Sequence, residues 1–105
     1  MKMEIVFARK EKKKIRAIIL LKDDKNNNID ASIAAVFEGK DKESIFIPEH
    51  QNHYTDPVYP SDGENYVTRV EKGIYQACGN FSFDIKKMHV LAKTDGKRIS
   101  KTSLI

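Results

Sequence analysis

The side chains best suited to chemistry cluster in one stretch, Glu49-His50-Gln51-Asn52-His53-Tyr54-Thr55-Asp56. His50 and His53, with Glu49 or Asp56, offer nitrogen and oxygen ligands of the kind a transition metal takes. A three-residue His spacing is common in polar loops and becomes a ligand set only on ordered or helical backbone. The expectation here is a surface loop with no bound metal. Asp24-Lys25-Asn26-Asn27-Asn28-Ile29-Asp30 places oxygen side chains at alternate positions, like the start of a calcium loop. Ile29 stands where that geometry needs glycine, and Ala35 where it needs a bidentate glutamate, so the segment reads as a hairpin turn.

Cys78 is the only cysteine. A thiol nucleophile needs a base, an orienting group and a positive environment, and nothing in the sequence brings His50, His53 or His89 beside it. Cys78 is expected to be a small core residue, and His89, between Met88 and Val90, an outward strand residue. Gly39-Lys40 lacks the preceding glycine of a phosphate-binding loop. No catalytic constellation emerges, and the expectation is a protein that is not an enzyme and uses no cofactor.

Charge offers a stronger candidate. Residues 1–22 carry eight Lys/Arg and two Glu, residues 23–85 five basic and twelve acidic groups, and residues 86–105 six basic groups and one Asp. Both ends are therefore basic around an acidic middle, and terminal strands lying side by side would form one positive surface. Lys12, Lys13 and Lys14, with Lys86 and Lys87, are the candidate phosphate contacts, joined by Lys93, Lys97, Arg98 and Lys101. Tyr66, Tyr75 or Phe81 would stack bases if exposed. The excess of lysine over arginine argues against bidentate base reading, and lysines also serve to keep edge strands soluble.

The elements that must position these residues are short. Met3, Ile5 and Phe7 alternate as in a half-buried strand, and Ile15 to Lys22 is a continuous aliphatic run of strand length. Asp23 to Asn28 is a turn. Ile29, Ala31, Ile33, Ala35 and Phe37 alternate as a strand, while Ile29, Ile33, Val36 and Phe37 also fit a helical face capped by Gly39. The preceding turn and aliphatic strand favour the strand. Ser44 to Ile47 forms a short strand ended by Pro48, and Glu49 to Asn65 a long loop. Tyr66 to Val70 and Ile74 to Cys78 are further strands, with Gly79 at a bulge or turn. Phe81, Phe83 and Ile85 alternate as a half-buried strand. Met88, Val90 and Ala92 run in the opposite phase, which requires a bulge or tight turn at Lys86-Lys87. Asp95-Gly96 is a hairpin signal, with Arg98 to Leu104 returning.

The chain has 105 residues, 40% hydrophobic and 32% charged, which suits one globular domain over 1–105. The apolar runs are too short for a signal peptide or a membrane span. A single cysteine slightly favours the cytoplasm and leaves removal of a leader open. Seven or eight strands at this spacing predict an all-β sandwich or small barrel; the alternative is an α+β domain with a helix at 29–38.

IRAIILLKDDKNNNIDASIAAVFEG, Ile15 to Gly39, resembles a pattern of bacterial immunoglobulin-like modules: a strand, an Asp/Asn-rich turn and a strand of the form I-D-A-x-I-x-A. GIY, GNFSFDI and VLAKTDGK are similar to the closing strands of such sandwiches. The antibody hallmarks are missing, with no Trp, no cysteine pair, and Tyr75 three residues before Cys78 rather than two. The resemblance implies an immunoglobulin-like β-sandwich and an interaction or carrier role, with no catalytic residues. The expected function is a non-catalytic protein-interaction module recognising a protein partner through Tyr54 and Tyr59 of the long loop. The alternative is a small basic nucleic-acid-binding protein using Lys12, Lys13, Lys14, Lys86 and Lys87.

Overall fold

The computed structural model describes residues 1–49 and 65–105. Eight strands follow one another: β1 Lys2–Lys10, β2 Lys14–Lys22, β3 Ser32–Gly39, β4 Ser44–Pro48, β5 Tyr66–Glu71, β6 Ile74–Asn80, β7 Ile85–Thr94 and β8 Lys97–Leu104. They form two four-stranded antiparallel sheets, ordered β1-β2-β6-β5 and β4-β3-β7-β8. The period-two pattern dictates the packing. In β2, Ile15, Ala17, Ile19 and Leu21 are buried, while the residues between them face outward. In β3, Ile33, Ala35 and Phe37 do the same, so the segment at 29–38 contributes a strand and not a helix. Each large apolar side chain buried between the sheets contributes roughly 1.5–3 kcal/mol.

Turn chemistry sets the register. Asp23 Oδ1 accepts the Lys25 and Asn27 N–H groups, both at 2.9 Å, and Asn26 takes a positive φ of 70°. Asp95 and Gly96, at φ 37° and 77°, close a two-residue hairpin between Thr94 and Lys97.

Two segments differ from the sequence reading. Phe81 to Asp84 is not a strand; β7 begins at Ile85. The segment crosses from one sheet to the other, and its alternation reflects ring packing. Phe81 lies 5.0 Å from Phe37 and stacks on Phe83 at 5.2 Å. Gly79 is no bulge but a regular partner of Ile15, glycine because a Cβ there would lie 2.5 Å from the Phe81 ring. The bulge expected at Lys86-Lys87 is present: Gly39 pairs with Ile85 and Glu38 with Lys87, leaving Lys86 as the extra residue.

The sandwich has two open sides. On one, β1 and β8 approach, and the Lys101 ammonium reaches the Met3 carbonyl at 3.4 Å. On the other, Glu49 forms a parallel bridge with Val67, so the chain leaves β4 and rejoins β5 at neighbouring points. Among the described residues no helix is long and apolar enough to cross a membrane.

Candidate functional site

Three regions concentrate side chains beyond what the core requires: two ends of the sandwich and one outer face.

The first end is polar and centres on Asp30 and Tyr75. The Tyr75 ring is buried, 1% exposed, and its hydroxyl emerges beneath the β2–β3 connection. The Ala31 N–H donates to that hydroxyl at 3.0 Å; the hydroxyl donates to the Ala31 carbonyl at 3.0 Å, with Asp30 Oδ1 as a second acceptor at 3.3 Å. Arg69 grips Asp30 through Nε to Oδ1 and Nη2 to Oδ2, both 3.1 Å, and the Gly73 N–H donates to Oδ1 at 2.9 Å. One carboxylate thus ties the β2–β3 connection to the β5–β6 turn. Burial pushes the Asp30 carboxyl upward, but Arg69 and the Gly73 N–H outweigh it and hold the group below its ordinary value. Burial drives the Tyr75 hydroxyl up to about 12. Glu49 borders the same hollow, and burial raises its carboxyl above the ordinary value despite an N–H from Ile33 at 3.4 Å.

The second end is basic. The Phe81 N–H donates to the Lys13 carbonyl at 3.0 Å and the Ile85 N–H to the Lys12 carbonyl at 2.6 Å. These bonds dock the β1–β2 turn on the crossover and bring Lys12, Lys13 and Lys14 beside Lys86; all four are exposed, as is Lys87. Arg9 pairs with Glu11 at 2.8 Å and the Lys10 ammonium sits 5.0 Å over the Phe7 ring. Lys93, Lys97 and Arg98 sit apart from this cluster, around the β7–β8 hairpin.

The third region is the outer face of the β4-β3-β7-β8 sheet. The register gives its rows: Pro48-Ala34-Leu91-Ser100, then Phe46-Val36-His89-Thr102, then Ser44-Glu38-Lys87-Leu104. Phe46 is 60% exposed and Leu91 42%, and a shallow apolar groove runs between them over Ala34. His89 faces outward as expected, with Nδ1 2.7 Å from Thr102 Oγ1. Its Nε2 lies 3.1 Å from Glu38 Oε2, within ion-pair reach but without hydrogen-bond alignment.

Three expectations need correction. Cys78 is not a core residue: it alternates with buried Ala77 and lies half-exposed on the opposite outer face, beside Tyr66 and Gln76. Cys78 and His89 therefore point away from each other on different sheets. Tyr75 and Phe81 are buried and unavailable for stacking; only Tyr66 of the three is on an outer face. The turn at Asp24 to Asp30 does not join hairpin partners: beyond one Lys22–Asn28 bridge the chain crosses to the other sheet, β2 and β3 do not pair with each other, and Asp30 turns to Arg69 and Gly73. Tyr54, Tyr59, His50 and His53 lie outside the described residues. Sequence reading missed the Asp30–Arg69–Tyr75 network and the Phe46–Leu91 face. The one hint was outward-phase Leu91 in an otherwise regular strand.

Compared with protein-family models, curated proteins and solved structures, the chain gives no significant match to any.

Proposed function

We propose that this chain is a non-catalytic protein-interaction module built on an immunoglobulin-like sandwich. The order β1-β2-β6-β5 over β4-β3-β7-β8 supports the immunoglobulin-like reading, since it corresponds to strands A-B-E-D over C′-C-F-G. The observation that carries the function is the outer face holding Phe46 and Leu91. A soluble domain gains nothing from two large exposed side chains flanking a half-buried Ala34 and Val36, whereas a binding surface needs such a core within a polar rim. In sequence, Phe46 and Pro48 of β4 precede the segment carrying Tyr54 and Tyr59, the tyrosines this reading assigns to partner recognition. Affinity capture with the full chain should retain partners that a Phe46→Ser/Leu91→Ser variant and a deletion of residues 51–58 both lose, each with an unchanged CD spectrum. Retention of the same partners by both variants sinks the reading.

A second reading is nucleic-acid binding through the basic end, favoured by the bonds that bring Lys12–Lys14 beside Lys86. It predicts affinity falling steeply with salt, with a slope of about −0.9 per phosphate neutralised. Absence of binding at low salt retires it.

A further inference from the structure

We infer that the β4-β3-β7-β8 face binds a second copy of this chain, as a two-fold dimer whose axis runs along the strands between β3 and β7. The inference rests on reading this face as an interaction surface, and it names the occupant.

Sheet geometry and side-chain order carry the argument. A two-fold along the strands lays β3 of one copy on β7 of the other, row against row. Ala34 then faces Leu91 twice, small against large, as interdigitating sheets require. In the third row Glu38 faces Lys87 of the other copy, and Lys87 faces Glu38, making a square of alternating charges. Placed midway along these rows, the other in-plane axis, across the strands, sets Lys87 against Lys93 and Glu38 against Ser32 and loses this complementarity. Of these two arrangements the charges favour the first, in which Lys93 lies opposite Ser32.

Area agrees. Strands about 4.8 Å apart, with same-face residues about 6.8 Å apart, give three rows over four strands, extended by Ser32 and Lys93, roughly 450 Å² of plane. Two copies then bury about 900 Å², the low end for a specific interface, so a weak, reversible dimer is expected. The opposite sheet also carries apolar residues on its outer face, Val6 beside Ile18 and Leu20 beside Ile74, and is the rival surface that a substitution at Ile18 probes.

Sedimentation velocity on the full chain, across a concentration series into the high-micromolar range, tests this. The expected result is a reversible monomer–dimer equilibrium weakened at least about tenfold by Leu91→Arg. Glu38→Lys and Lys87→Glu should each weaken it, and their combination should restore it. Thermal melts establish that each variant folds. A monomer at every concentration overturns the dimer. So does a dimer indifferent to Leu91→Arg but lost in Ile18→Arg, which would place contact on the other sheet. A chain that stays monomeric while Leu91→Ser still loses captured partners fails as a dimer only; a monomer whose captured partners survive the substitutions defeats both readings.

Discussion

The two ends of the sandwich use charge in opposite ways. At the polar end Asp30 accepts from Arg69, Gly73 and Tyr75, so its charge is spent on joining two loops. At the basic end Lys12, Lys13, Lys14 and Lys86 are held by backbone bonds, and their ammonium groups remain in solvent. A charge consumed by internal partners contributes to stability and presents little to a ligand. A charge positioned by its backbone alone contributes little to stability and stays available to one.

That contrast can be broken most forcefully at Tyr75. Tyr75→Ala should cost about 3–5 kcal/mol in urea unfolding, through the cavity and the lost hydroxyl. Tyr75→Phe should cost about 1–3 kcal/mol, because the Ala31 N–H and carbonyl lose their partner. A Tyr75→Phe variant as stable as the parent would show that the network is ornamental. Gly79→Ala comes next, at roughly 1–3 kcal/mol, since the added methyl must displace Phe81 from the crossover that seats the lysines. Any effect of this substitution on anion binding would arise through that crossover.

The two carboxylates of the polar end sharpen the comparison through pH. Asp30 has a folded value below 3.8, so it stabilises the fold above that range and the contribution disappears as pH falls through the folded value. Glu49 has a folded value above 4.5, so its ionised form opposes folding as pH rises through that value. Asp30→Asn should therefore lower the unfolding midpoint at neutral pH and Glu49→Gln raise it. Both differences should shrink in acid, and equal signs at neutral pH would refute the assignment. The smallest effect on stability belongs to Lys12→Glu/Lys13→Glu/Lys14→Glu. The unfolding free energy should change by less than about 0.5 kcal/mol, while any binding to polyanions is lost. A large loss of stability would mean that the lysines are part of the frame.

Much of the frame was legible because strands and turns are local. Alternation in Ile33-Ala35-Phe37, the Asp-Gly hairpin and the phase change at Lys86-Lys87 each fall within a few residues, and each appears in the structure. Phe81-Phe83-Ile85 misled for the same reason: the period of two is also produced by stacked rings crossing between sheets. Cys78 misled because Ile74, Gln76 and Cys78 form the outward phase of β6, and apolar residues occupy both phases there. The lysine cluster was legible as composition, although which lysines share an end was not.

The sequence by itself determined the strands, their turns and which phase of most of them is apolar, because these depend on neighbours in the chain. Only the tertiary structure decided that Asp30, Arg69, Gly73 and Tyr75 meet, across up to 45 positions. It likewise decided that Phe46 and Leu91, from β4 and β7, flank one groove over β3. Such meetings follow from strand order and register, which are settled when both sheets bury their inner faces together, and no local pattern encodes them.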